Sequence, residues 1–261
     1  MLALVEPDPL RLLVEAAIAG HPDTPFGAYL FTADEPAAEI ARHVEREIFL
    51  DAFGNDADQL AVEYGAYESR SVFFVVIDHG RRLPAGAMRL IAPGAAEPGL
   101  KSMEDVERFW ETPAEALLGA RGIVLAPERT WDIATLAVAR DYQHALGSGL
   151  VSLGLYQSVV RSCREVGVEH LVALLDSLVY RITRARYAEP FIAYGEPRPY
   201  LGSTASYPVY CSLAEWEERL MLVEPPLLEI IYRGRGIEAA CSPLDPELLA
   251  SRIGRRPSTL V

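Results

Sequence analysis

The sequence has little cysteine, a shortage of positive charge and no long apolar run. Its three cysteines, Cys163, Cys211 and Cys241, are odd in number and far apart. That spacing excludes a disulfide framework, a zinc knuckle and a redox pair, leaving small core or surface thiols. Only 24 lysines and arginines stand against 37 acidic residues, a formal net charge of −13. Duplex affinity comes from clustered cations, so a general nucleic-acid binder is excluded, although a local basic groove is compatible with that total. No stretch is long and apolar enough to span a bilayer. The opening MLALVEPDPLRLLVEAAIAG lacks the basic start and unbroken apolar core of a signal peptide, so the expectation is a soluble, cytoplasmic protein. The histidines His21, His43, His79, His144 and His170 form no H-x-x-x-H pair, so no metal is expected. G-x-G-x-x-G, Gly-Lys-Ser/Thr and G-x-S-x-G are also missing, which removes a dinucleotide fingerprint, a P-loop and a nucleophile elbow.

What is present is an ordinary globular composition: 261 residues, 50% apolar and 23% charged. That suits one large domain or one domain with extensions. Apolar spacing predicts helices from Pro9 to Gly20 and from about Pro36 to Leu50, with Phe53–Asp58 as a turn. The run SVFFVVID, Ser71 to Asp78, predicts a buried strand, and AMRLIAP from Ala87 its hairpin partner. A helix is expected near Met103–Trp110, a strand over 130–138, a helix over 150–166, a strand over 169–175 and a short basic helix over 177–186. Pro190–Tyr194 and Ser206–Leu213 read as the last strands. Ser212 with Glu215 forms a capping box opening a helix to Met221. Beyond Pro225 the chain reads as a loosely packed extension. Strands and helices interleave, which predicts an α/β (α+β) sheet with flanking helices.

One segment, Trp131 to Val160, changes character halfway. A strand leads into a loop carrying Arg140, Gly147 and Gly149, then into a helix. Such a bend gathers unpaired backbone N–H groups at a helix N-terminus, where a pyrophosphate or an extended amide chain can bind. The alternative is a plain strand-to-helix crossover.

Taken in order, Arg46-Glu47-Ile48-Phe49, EYGAYE at Glu63–Glu68, SVFFVVID, Ala87-Met88-Arg89-Leu90 and Trp131-Asp132 resemble the autoinducer synthases. These are the acyl-homoserine-lactone makers among the GNAT-fold acyltransferases, alongside the N-acyl amino acid synthases. GVEHLVALLD, YRITRARYAEPF and YGEP extend the resemblance over residues 40 to 200. It implies a GNAT-like twisted mixed β-sheet whose fourth and fifth strands splay to admit the pantetheine arm of acyl-CoA or an acyl carrier protein. The domain would occupy 35–212, with a helical extension over 1–34 and a C-terminal helix and extension over 213–261. Two features depart from the pattern. Trp131-Asp132-Ile133-Ala134-Thr135 stands where the synthases carry Trp-Glu-x-x-Arg, and paired aspartates are replaced by Tyr64, Gly65, Tyr67 and Glu68. Both point away from S-adenosylmethionine and toward an amino acid or another small-molecule amine as acceptor.

The resemblance also implies site residues. Glu63 and Asp132 match acidic positions and would serve as general base for the attacking amine. Arg89, with Arg46, Phe49 and Trp131, would hold the substrate. Leu136 and Val138 on the splayed strand, with Arg140, Gly147 and Gly149, would hold acyl-CoA or acyl-phosphopantetheine. Arg181 and Arg184 would meet CoA phosphates or the acidic face of a carrier protein. Tyr187 would protonate the leaving thiolate. Against each stands a structural reading: surface ion pairs for the charges, a solvated helix end for the arginines and packing for the tyrosine. The altered motif also leaves room for a non-catalytic module of the same fold that binds an acylated ligand or a protein.

Overall fold

The computed structural model describes residues 8–21, 23–94, 99–143 and 148–253. The chain opens with α1 (Pro9–Ile18), β1 (Phe26–Thr32), α2 (Ala38–Phe53) and α3 (Ala57–Tyr64). Then come β2 (Ser71–Asp78), β3 (Leu83–Ile91), α4 (Lys101–Trp110) and α5 (Ala114–Gly119). β4 (Thr130–Val138), α6 (Arg140–Gln143), α7 (Ser148–Glu165), β5 (His170–Asp176) and α8 (Ser177–Arg186) form the middle. β6 (Ile192–Ala193), β7 (Arg198–Tyr200), β8 (Ser203–Ser212), α9 (Leu213–Val223), α10 (Pro225–Ile231), β9 (Cys241–Ser242) and α11 (Glu247–Arg252) complete it.

The strands form one mixed sheet in the order β6-β8-β5-β4-β3-β2-β1-β9, with β7 paired to β8. β4 with β5, and β1 with β9, run parallel, and the other pairs are antiparallel. The mixed sheet with flanking helices agrees with the sequence reading. Two parts of that reading are corrected. Phe26–Thr32, placed in a helical extension, is a sheet strand paired along its length with β2. It is buried on both faces, Tyr29 and Phe31 toward α2, Ala28 and Leu30 toward the opposite core. A strand covered on both sides carries no polar alternation to betray it. The segment from Pro225 to Ile253 is not loosely packed. Leu228, Ile231, Leu249 and Ala250 are buried in the core, and β9 edges the sheet beside β1.

The two faces differ. On one, Phe74, Val76, Met88, Trp131, Ile133 and Leu171 join the inner residues of α7, α9, α10 and α11 in a continuous apolar core. The other carries two separate cores. Tyr29, Phe73, Val75 and Ala87 pack under α1 and α2, while Val172 and Tyr210 pack under α4 and α5. A seam of charged groups lies between them.

Gly86 lets α7 press against β3. A Cβ there would stand 2.8 Å from Val151 Cγ1 and 3.0 Å from the Ala137 carbonyl oxygen. Gly86→Ala is therefore expected to destabilise by about 1–3 kcal/mol through overpacking, read as a lower urea midpoint at unchanged slope. An unchanged midpoint would mean that α7 can back away.

Candidate active site

The seam begins with a bulge. Along β4, Arg89 pairs with Thr135 but Leu90 pairs with Ile133, so Ala134 is the extra residue. Residues three apart on a regular strand face opposite ways. The bulge instead brings Asp132 and Thr135 to the same face. From β3, Arg89 meets Glu45 of α2 in a fork, Nη2 to Oε2 at 2.6 Å and Nε to Oε1 at 3.0 Å. Its Nη1 reaches Glu68 Oε2 at 2.7 Å, and Thr135 Oγ1 donates to Glu45 Oε1 at 2.5 Å. Arg42 holds the other Glu68 oxygen. Arg89 and Glu45 side chains are only 5% and 4% exposed. Charges so buried persist only when paired.

A second cluster lies beyond Tyr64, whose ring sits 4.6 Å from the Arg89 guanidinium carbon and 5.1 Å from Lys101 Nζ. Lys101, on α4, is the only lysine in the sequence and is buried. It binds Glu63, Asp105 and the Tyr200 hydroxyl, the last at 2.7 Å. Tyr200 Oη also lies 2.9 Å from Glu63 Oε1 and 2.6 Å from Asp105 Oδ2. Asp132 is wholly buried and receives the Ser102 N–H at 2.5 Å and the Ser102 hydroxyl at 2.7 Å. A β4 carboxylate thus caps the first turn of α4, which has no side-chain cap of its own at Leu100; an anion suits that position.

Burial pushes Asp132 up to about 6, against the opposing Ser102 hydrogen bonds and the Lys101 charge. Burial also acts to raise Glu63, but the Lys101 charge and the hydrogen bonds from Lys101 and Tyr200 leave it below the usual carboxylate range. The two candidate bases are thus pushed apart.

A cavity of about 340 Å³ opens beside the first cluster, walled by Arg42, Glu45, Arg46, Tyr64, Glu68 and Arg89. That volume is of small-molecule size. Its Tyr64 hydroxyl donates to the Ala134 carbonyl at 3.4 Å, so the wall touches the bulge. Immediately before the bulge the sheet comes apart. β4 pairs with β5 only from Thr130–His170 to Ile133–Ala173, although the strands continue to Val138 and Asp176. Ala139 N–H donates to Ala85 C=O at 2.9 Å. Backbone groups alternate sides along an antiparallel strand, so those of Leu136 and Val138 point away from β3, into the gap. The Val138 carbonyl there accepts from Gln143 Nε2 at 2.9 Å.

The structure gathers Glu63, Arg89 and Asp132 in the seam and sets Arg46 on the cavity wall, where it binds Glu39. Phe49 packs edge-on against Phe53 at 5.5 Å. Trp131 is not part of this group: it is buried in the core on the opposite face. Tyr187 also lies in that core, its ring 4.8 Å from Tyr156. Burial raises its hydroxyl, partly offset by a Ser152 hydrogen bond. Leu136 and Val138 line the gap, and Gly149 lies in the first turn of α7. Arg140 is exposed and bound to Asp51. Arg184 pairs with Glu189 at 2.6 Å, and Arg181 is exposed on α8. Gly147 lies outside the described residues.

Sequence reasoning missed Glu45, Lys101, Asp105, Thr135 as a ligand of Glu45, and Tyr200. Signals existed for some. Glu45 interrupts the apolar stripe of Ala41, Val44 and Ile48, and a lone lysine among so many arginines stands out. Nothing local announces Tyr200, which arrives from a distant hairpin. Among the described residues no group of His, Cys, Asp and Glu could hold a metal ion, and no helix is long and apolar enough to cross a membrane.

No family model and no curated protein matches the sequence. Solved structures do match in fold. FeeM, an N-acyl amino acid synthase from uncultured soil microbes, gives a TM-score of 0.54 at 16% identity, over 74% of this chain and 93% of its own. BjaI, a CoA-dependent acyl-homoserine lactone synthase solved with SAM and isopentyl-CoA, gives 0.56 at 13% identity, over 88% of this chain and 99% of its own. The chain therefore has the GNAT-like acyltransferase fold that these synthases share.

Proposed function

We propose that the chain is an N-acyltransferase, moving an acyl group from acyl-CoA or acyl-phosphopantetheine to the amine of a small molecule such as an amino acid. One observation carries the reading. The charged cavity and the strand gap meet at the Ala134 bulge, through the Tyr64 hydroxyl. A donor arm in the gap, bonded to Leu136 and Val138, would bring its thioester to the bulge while an amine waits in the cavity. FeeM and BjaI, an N-acyl amino acid synthase and a CoA-dependent acyl-homoserine lactone synthase, agree with that use of the fold. Arg140, Gly147 and Gly149, with Arg181 and Arg184, would serve the donor's phosphates or a carrier protein.

Holding amine and thioester together supplies most of the rate. The neutral amine attacks the carbonyl, the C–N bond forms, the C–S bond breaks, and the thiolate takes a proton. The amine's proton passes to a seam carboxylate, directly or through water. Glu63 is the more exposed of the two candidates, while Asp132 is the more basic but has both oxygens occupied by Ser102. Arg46 and Arg89 would set the acceptor's carboxylate and the neighbouring acids. Tyr187 is the proposed acid for the thiolate, from the opposite side of the sheet.

The test is a screen with acetyl-, octanoyl- and palmitoyl-CoA against amino acids and other amines, following free thiol and the amide mass. Amide formed with one donor class, and lost in Glu63→Gln or Asp132→Asn at unchanged donor binding, supports the reading. One observation favours a second reading, a binding module without turnover: Glu45, Glu63, Glu68 and Asp132 are all already engaged by partners. Tight donor binding with no thiol release from any amine, or from an acylated carrier protein, would decide for that module.

A further inference from the structure

The hairpin formed by β7 and β8 does more than edge the sheet. Its base stands at the far end of β5, where Ser206 pairs with Asp176, and Ser203, the residue after the turn, also donates from Oγ to Asp176 Oδ2 at 2.7 Å. The turn itself reaches the end of α2. The Leu201 carbonyl accepts from Asn55 Nδ2 at 2.9 Å, and a Cβ on Gly202 would stand 2.5 Å from the Phe53 carbonyl oxygen. Phe53 and Asn55 form the end of α2, which is tied to the end of β4 by the ion pair of Asp51 with Arg140. The hairpin is therefore anchored at the open end of β5 and touches, through its turn, the helix end that is tied to the open end of β4. Two further ties hold it. Arg198 Nη1 donates to the Phe109 carbonyl at 2.9 Å, and the Tyr200 hydroxyl sits among Lys101, Glu63 and Asp105.

The turn at the tip is strained. Leu201 has φ +45° and Gly202 φ +82°. A branched, bulky residue rarely enters the left-handed region, and such a conformation persists only where its surroundings impose it. Here the Asn55 bond and the seated Tyr200 flank the strained residue on either side. An unlatched turn would relax.

We propose that this hairpin is a strap across the mouth of the β4–β5 gap and that Tyr200 is its latch, a positioning residue that keeps water from a thioester bound there. The proposal rests on the acyl-donor reading of the gap. With the strap closed, the thioester meets only the amine held in the cavity. With it loose, water attacks the carbonyl instead: a C–O bond forms, the C–S bond breaks, and a carboxylate, a thiol and a proton are released.

Tyr200→Phe keeps the ring, which packs edge-on to Phe109 at 5.3 Å, and removes the hydroxyl. Asn55→Ala loosens the tip without touching the charged seam. Both are expected to raise octanoyl-CoA hydrolysis, measured without any amine, by about tenfold at unchanged octanoyl-CoA Kd, the scale set by losing one good hydrogen bond. Both are expected to speed amide exchange across 198–206. Because Lys101 is the only lysine, lysine-selective labelling gives a single side-chain NMR signal, which should shift in Tyr200→Phe. A merely structural tyrosine would lower stability and leave the hydrolysis rate per folded molecule alone. Exchange or hydrolysis equal to wild type in both variants overturns the strap, provided wild type binds the donor. If wild type neither binds nor cleaves octanoyl-CoA, presented as CoA or on a carrier protein, the donor reading itself fails, and the strap's role falls with it.

Discussion

Arg89→Met is expected to lower the melting temperature by about 10 °C and to abolish the proposed acyl transfer. The reason is what it leaves behind. Glu45 is as buried as Arg89, and both its oxygens are held by the same guanidinium. Removing one partner of a buried pair costs about 3–5 kcal/mol, because the other charge remains dry and unmatched. A protein of this size loses about 2–4 °C per kcal/mol, which gives the figure. Glu68 loses one of its two arginines, and Tyr64 and Phe73 each lose one of the two cations on their rings. The control is the paired variant Arg89→Met with Glu45→Met. It removes both charges, so it is expected to recover at least half of the lost stability while remaining inactive. Thermal unfolding of the three proteins decides it: a single variant melting with wild type would mean that water reaches Glu45.

Asp132→Asn carries the second large effect, and here stability and activity move in opposite directions. The fold raises this carboxyl to about 6 from an ordinary 3.8, chiefly by burial. The native state thus holds the proton more tightly than the unfolded chain. Between pH 4 and 6 that preference makes wild-type stability fall as pH rises, and above about 6 the loss is complete. A shift of this size corresponds to about 2–3 kcal/mol. Asparagine has no charge to bury. Its carbonyl can still accept the Ser102 N–H, and its amide can donate to the Ser102 hydroxyl. Relative to wild type, the variant should be level or slightly weaker at pH 4 and more stable by pH 7. The difference curve between the two proteins isolates this group from acids such as Glu63, whose lowered position acts with the opposite sign. A flat difference curve would show that Asp132 is not desolvated. If transfer survives in the stabilised variant, Asp132 is the cap of α4 and not a base.

The contrast between these residues shows what a sequence can carry. SVFFVVID was legible because a strand buried on both faces needs an unbroken β-branched and aromatic run. Thr130–Val138, Ser177–Arg186 and the Ser212 cap were legible for equally local reasons. The resemblance to the autoinducer synthases implied the splayed sheet, and the pairing of β4 with β5 stops at Ile133 as that resemblance implied. Arg89 and Asp132 stood out because charged side chains in apolar strands must be answered by something. What answered them was not visible. Glu45 lies 44 positions from Arg89, and Ser102 lies 30 from Asp132. No spacing rule connects residues that only packing brings together.

Composition, period and capping by themselves determined the interleaved α/β chain, most of its strands and the presence of charges that had to be buried. Tertiary structure alone decided the rest. The Ala134 bulge chose which face Asp132 and Thr135 share. Burial on both sides hid β1 as a strand, and the core beneath α7 took in Trp131. A hairpin 95 residues beyond Asp105 brought Tyr200 to it. The physical reason is the same throughout. Propensity and periodicity act over a few residues, whereas burial and charge pairing depend on distance in space, which the chain sets only once it has folded.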